Sequence, residues 1–181
     1  PWVLTSNGTI LNQSKKGIIP GLLERWYAER KVLQKNMREH QSAGNTEETA
    51  YWDKRQLVKK INLNSLYGAL LNPGSRFNDP RMGQSTTLTG RTIARHMGAK
   101  VNELFTGKYD HVGEAIIYGD TDSVYFSAYP VFKQQIESGE FAWDKDKVTE
   151  LYETVCDQAN ETFPDYMATA HNVLNREQGE I

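Results

Sequence analysis

Two short apolar runs open the chain, and apolar positions then recur at helical spacing. Trp2-Val3-Leu4-Thr5 and Thr9-Ile10-Leu11 flank Asn7-Gly8, a pair that readily supplies the two positive φ angles of a tight hairpin turn. After Lys15-Lys16-Gly17, Pro20 suits the first turn of a helix, where a missing N–H costs nothing. Leu22, Trp26, Leu33 and Met37 then mark an apolar stripe, and the spacing predicts a helix over 22–38. Gly44-Asn45 ends it. Asn45 and Glu48 have capping-box spacing for a second helix over 47–70, which Asn72-Pro73-Gly74 stops. Two helices joined by so short a link form an antiparallel hairpin, each arm about 30 Å long.

A third helix is predicted over 85–105, where Ile93, Met97, Val101 and Leu104 recur at steps of four, four and three before Gly107. Ala115-Ile116-Ile117-Tyr118 and Val124-Tyr125-Phe126 are β-prone runs separated by Gly119-Asp120-Thr121-Asp122-Ser123, which predicts a hairpin with two carboxylates at its tip. Both strands are expected to be buried. Residues 145–160 read as a surface helix with Val148, Leu151, Tyr152 and Val155 facing inward. The final NREQGEI stops mid-pattern, and both ends of the chain read as cut. The fold class is therefore α+β: an antiparallel helical hairpin standing on a part with an antiparallel β-hairpin.

Composition narrows the field. The 181 residues hold one cysteine, Cys156, which excludes an internal disulfide framework and a multi-cysteine metal site. His40, His96, His111 and His171 are scattered. No run of eighteen apolar residues occurs, so a membrane span is not expected. The net charge of −2 conceals an asymmetry. Residues 1–113 hold 17 Lys+Arg against 9 Asp+Glu, and residues 114–181 hold 4 against 14. A basic first part suits a polyanion and an acidic second part suits metal ions or a basic partner. Two solvated faces would give the same balance.

Two constellations could carry chemistry. In KKINLNSLYG, Lys60, Asn64 and Tyr67 lie at i, i+4 and i+7 and share a helix face. They offer a cation, an amide and a phenol, and Gly68 leaves room for a close approach. The partner helix supplies Arg25, Arg30, Lys31 and Lys35, with Arg30 and Gln34 one turn apart, so the two arms could frame a basic cleft for a triphosphate. A merely wet face would look alike. In YGDTDS, Asp120 and Asp122 repel unless divalent cations neutralise them, and hard oxygen ligands of this kind suit Mg²⁺. An Asp-rich turn is the plainer reading.

Phosphate-gripping helix plus metal-binding carboxylates is the equipment for two-metal nucleotidyl transfer. KKINLNSLYG resembles the finger-helix motif, and YGDTDS the palm metal motif, of family B DNA polymerases. IIPGLLERWYAERKVLQKNM is similar to the first finger helix, especially of the T4-like bacteriophage branch. The resemblance runs from about Gly8 to Ile181 and is diffuse past Tyr129. It implies a palm-side β-hairpin and linker over 1–19, fingers over 20–72 and a partial palm over 73–181. It implies template-directed DNA synthesis from deoxynucleoside triphosphates on a primer-template, two Mg²⁺ ions, a cytoplasmic setting in an infected host and contact with a sliding clamp.

By the same resemblance Lys60, Asn64 and Arg30 would meet the triphosphate, and Ile61, Ser65, Tyr67 and Gly68 would floor the nascent base pair. Asp122 would ligate the catalytic metals, with Asp120 a second-rank ligand. One departure concerns Gln34, where relatives commonly carry a second basic residue. Lys35 points about 100° away from that position. The family's upstream Asp-x-x-Ser-Leu-Tyr-Pro-Ser motif does not occur, nor does its later Lys-Lys-Arg-Tyr-like segment. The expectation is thus a fragment without the upstream metal Asp, exonuclease or thumb, inactive alone. The alternatives are a non-catalytic half of a split polymerase that docks on a partner, and another two-metal phosphoryl-transfer enzyme.

Overall fold

The structure, a computed structural model, describes residues 1–174; the tail NREQGEI, expected to run on as a polar segment, lies outside the described residues. The fold is α+β. Elements follow in the order β1 (Trp2–Leu4), β2 (Ile10–Asn12), α1 (Ile18–Ser42), α2 (Thr46–Leu71), α3 (Pro80–Thr106), β3 (Ile116–Asp120), β4 (Ser123–Phe126), α4 (Tyr129–Glu137), α5 (Lys145–Glu161) and α6 (Phe163–His171). The chain divides into two compact units, one of Pro1 with Asn12–Gly83 and the other of Trp2–Leu11 with the residues from Gln84 onward. No helix among the described residues is long and apolar enough to cross a membrane.

The first unit is the helical hairpin. Gly44 (φ 73°) breaks α1, and the Asn45 side chain caps α2 by accepting from the Glu48 N–H at 3.2 Å. Both arms run longer than the sequence periodicity predicts, α1 at 25 residues and α2 at 26. Their contacts pair Trp26 with Lys59, Arg30 with Gln56 and His40 with Trp52, a descending order that makes the arms antiparallel. Neither arm contains a fully buried residue. Two helices alone cannot enclose a core, so polar and cation–π contacts hold this seam.

The second unit has the core. Val101 of α3 packs with Val155 and Ala159 of α5, and Phe105, Leu151, Ile116 and Phe126 close over them. Tyr152 stacks on Phe126 at 5.2 Å and accepts the Ala128 N–H at 3.0 Å, so the inward face expected for α5 is observed. β1 and β2 join this unit: Thr5 Oγ1 donates to Ser85 Oγ at 3.3 Å, Ser6 N–H to Thr89 Oγ1, and the amide of Asn172 to Trp2 O.

Three expectations need correction. The opening turn is not a two-residue turn with two positive φ angles. Gly8 N–H bonds Thr5 O at 2.9 Å, Thr5 N–H bonds Thr9 O, and Gly8 alone takes positive φ (82°), the pattern of a three-residue loop with a glycine bulge. α3 starts at Pro80, five residues before the expected Ser85. Asp79 accepts the Arg81 N–H at 3.0 Å and grips its guanidinium, so Asp79-Pro80 is a cap followed by proline at the first helical position. The hydrogen bond from Arg81 holds the Asp79 carboxyl below the usual carboxylate range. Finally, β3 and β4 are not buried strands: Ile116 and Phe126 are half-buried against the core, while Ile117, Tyr118 and Tyr125 are more than half exposed.

Asn102, 1% exposed, fixes how α3 hands over to β3. Its Nδ2 donates to Thr106 Oγ1 at 3.0 Å and Lys108 O at 2.9 Å, and its Oδ1 accepts the Ala115 N–H at 3.1 Å. Gly113 lies against it: a Cβ there would come within 2.2–2.4 Å of the Asn102 amide. We expect Gly113→Ala to cost about 1–3 kcal/mol, the usual range for overpacking. Urea unfolding of wild type and variant measures this, and an unchanged midpoint would contradict it.

His96 of α3 faces the α5–α6 corner. Thr162 Oγ1 donates to Ala159 O at 2.7 Å, so it accepts from His96 Nε2–H at 3.1 Å; Nδ1 then accepts from Tyr109 Oη at 2.7 Å. Tyr166 stacks on the neutral ring at 3.9 Å and Phe163 meets it edge-on. Burial, reinforced by Lys100 and opposed by Glu103, lowers the His96 pKa below its ordinary 6.5. Below that ordinary value the unfolded chain takes up the proton first. Stability from this site is therefore complete above it and lost as pH falls through the folded-state pKa. We expect melting temperature to fall between pH of about 7.5 and about 5.5, with a shallower fall in His96→Gln. Equal slopes in the two proteins would contradict this.

Candidate functional site

The sequence singled out residues in both units. In the first, α2 carries Lys60, Ile61, Asn64, Ser65, Tyr67 and Gly68 in its second half. Lys60, Asn64, Ser65 and Gly68 are exposed, and Ile61 is 54% exposed. A Cβ built on Gly68 meets nothing within 4 Å, so the surface beside it is open. Tyr67 differs from its expected presentation. Its ring is half-buried and its hydroxyl donates to Gly83 O at 3.1 Å, which ties the end of α2 to the start of α3.

Arg30 reaches α2 rather than solvent. Its Nε donates to Gln56 Oε1 at 3.2 Å, and Gln56 in turn donates to Asp53 at 2.9 Å. Gln56 is one turn before Lys60, so Arg30 joins the two polar stripes at their seam. The neighbouring cation behaves differently: Lys59 pairs with Glu29 and lies 5.8 Å from the Trp26 ring centroid. Hydrogen bonding from Lys59 holds the Glu29 carboxyl below the usual carboxylate range. Lys60 has no carboxylate partner among the described residues. The hairpin therefore spends one lysine on its own seam and leaves the next one free for an anion. Sequence reasoning missed Gln56; its i−4 spacing from Lys60 was the available signal.

The carboxylates lie in the second unit. Asp120 is the last residue of β3 and pairs with Ser123, so Thr121 and Asp122 alone make the turn. Both carboxylates are exposed. Thr121 Oγ1 donates to the Asp120 carboxylate at 3.0 Å, and Ser123 Oγ to Asp120 O at 3.1 Å. Among the described residues no three His, Cys, Asp or Glu side chains converge as a complete metal cage. Two carboxylates on a tight strand tip are a partial donor set, which suits a cation that takes its other oxygens from water and phosphate.

Thr121 has φ 46°, a left-handed conformation that is uncommon for a β-branched residue. Thr121→Gly removes the side-chain conflict and one exposed hydrogen bond. We expect a net gain of about 1 kcal/mol in unfolding free energy; a loss measured by denaturant titration would contradict a strained turn.

Against known proteins, the family model for DNA polymerase family B matches residues 4–154. The chain belongs to that family. It is 39% identical over 84 residues to a DNA-directed DNA polymerase of Escherichia phage RB69, an alignment covering 46% of this chain and 9% of that protein. It is 38% identical over 112 residues to the DNA polymerase delta catalytic subunit of Oryza sativa subsp. japonica, covering 61% and 10% respectively. With a DNA-directed DNA polymerase of Enterobacteria phage T4 it shares 32% identity over 139 residues, covering 70% and 15%. The chain thus spans about a tenth of the length of the curated relatives it matches. Phage and plant relatives both appear, so the family is defined and the branch is not.

Proposed function

We propose that this chain is the fingers-and-palm segment of a DNA polymerase that transfers deoxynucleotides from dNTP to a primer 3′-hydroxyl by a two-metal mechanism. The observation that carries this reading is the presence, in one family-matched span, of an exposed Lys60/Asn64 stripe without carboxylate partners and a two-carboxylate strand tip. Residues 20–72 are the fingers, 73–181 belong to the palm, and 1–19 are its hairpin and linker. The T4-like phage branch, with work in a host cytoplasm, rests on the likeness of IIPGLLERWYAERKVLQKNM.

In this mechanism Lys60 and Arg30 neutralise the triphosphate and Asn64 orients it by hydrogen bonding. Ile61, Ser65, Tyr67 and Gly68 form the floor under the new base pair. The Tyr67–Gly83 hydrogen bond holds that floor still, and the open space at Gly68 admits the pair. Gln34 leaves the second anion contact of α1 neutral, which lowers triphosphate affinity relative to a lysine there. Asp122, with Asp120 in support, would hold Mg²⁺. Bound Mg²⁺ supplies charge neutralisation of the triphosphate and a more acidic primer hydroxyl. The upstream carboxylate comes from the remainder of the polymerase, which also provides exonuclease, thumb and the docking of a sliding clamp.

The test is kinetic and uses the complete polymerase. Asp122→Ala should lower nucleotide incorporation by about a hundredfold or more while primer-template affinity stays near wild type. Lys60→Ala should raise the dNTP KM and lower kcat. Normal turnover by the Asp122 variant would overturn the metal assignment, and unchanged steady-state constants for the Lys60 variant would overturn the triphosphate assignment.

A further inference from the structure

On α1, Tyr27, Lys31, Lys35 and Arg38 succeed one another along a single outer strip, distinct from the seam residues Trp26, Arg30 and Met37. Lys31, Gln34, Lys35, Arg38, Glu39 and Ser42 line a shallow groove of about 560 Å³. Three cations converge on it against one carboxylate. That carboxylate is only loosely engaged, with Lys35 Nζ 3.9 Å from Glu39. Neither Lys31 nor Arg38 has a carboxylate partner among the described residues. At one end of the strip the Lys31 ammonium lies 5.1 Å from the centroid of the Tyr27 ring, which is 51% exposed.

Like charges in a row cost stability, and of these three only Lys35 has a carboxylate beside it, at 3.9 Å. Their spacing along the axis, about 6 Å from Lys31 to Lys35 and about 4.5 Å on to Arg38, is that of a linear polyanion rather than a single phosphate group. A flat aromatic at the end of such a track supplies a face for a base. We infer that this strip of α1 is a binding track for single-stranded nucleic acid, with Lys31, Lys35 and Arg38 on consecutive phosphates and Tyr27 under a base. The inference rests on the polymerase reading: the strand it takes is the unpaired template. The proposed triphosphate contacts are Lys60, Arg30 and Asn64, so Lys31 and Lys35, which the sequence also offers to a basic cleft, are here assigned to the track instead.

The experiment measures fluorescence anisotropy of the 181-residue chain with a labelled oligothymidylate of about 20 nucleotides as a function of salt. Lys31→Gln/Lys35→Gln/Arg38→Gln should weaken binding about tenfold or more at low salt and flatten the log–log salt slope by about 2. A charge-matched control, Lys15→Gln/Lys54→Gln/Arg76→Gln, should flatten the slope by less than about half as much. Tyr27→Ala should weaken binding about fivefold or more with the slope unchanged. Circular dichroism confirms that each variant keeps its helices.

Three results would overturn the inference. One is no binding of the oligonucleotide. Another is an equal loss in triple variant and control, which would mean diffuse charge. The third is displacement of the oligonucleotide by tripolyphosphate at matched ionic strength, which would make the groove a triphosphate site. These results leave the primer-extension behaviour of the complete polymerase untouched, so failure here and failure of the polymerase reading are separate outcomes.

Discussion

A buried side-chain amide sets the geometry of the second unit. Asn102 is the largest side chain in the described residues to be removed from water almost completely, and its two donors and its acceptor are all used. An amide left unpaired in such a place costs about 1–3 kcal/mol per lost contact, so the network tolerates little slippage. It fixes the loop after α3 through Lys108 O and the entry to β3 through Ala115 N. Ala115 O in turn accepts the Ser127 N–H at 2.8 Å just past β4, so both ends of the carboxylate-bearing hairpin are anchored. Asp120 and Asp122 are held by a rigid base although their own side chains are exposed.

The first unit is built on the opposite principle. Without a closed core, α1 and α2 are joined by the Lys59–Glu29 pair, the Arg30–Gln56–Asp53 chain and aromatic contacts of Trp26 and Trp52. Exposed ion pairs contribute little each, so such a seam is one that can shift. Apolar Leu57, Val58 and Ile61 remain largely exposed on α2.

Much of this was legible in the residues. Asn45 with Glu48 and Gly44 marked the turn of the helical hairpin because caps and breakers act locally, through one or two backbone groups. Asp120 and Asp122 were placed at the strand tip for the same reason. What the pattern could not supply was contact across long separations. The exposure of Ile117 and Tyr125 depends on which face of the hairpin meets α3 and α5, and alternation alone does not say. The early start of α3 is encoded locally, in the cap Asp79 followed by Pro80 at the first helical position. Tyr67 was read as a presented hydroxyl, whereas Gly83 O captures it from sixteen residues away. Asn102 carried no sequence signal: a lone Asn within a helix is ordinary until its partners are known.

If Asp122 stands on one side of a two-metal polymerase site, as proposed above, the rest of the polymerase must supply the other side. Primer extension with Mg²⁺ and all four deoxynucleotides tests it most directly, comparing the 181-residue chain alone with a form joined to an upstream segment that carries the second metal Asp. Extension is expected only from the joined form. Extension by the chain alone would contradict it, because Asp120 and Asp122 would then have to complete the site without that Asp.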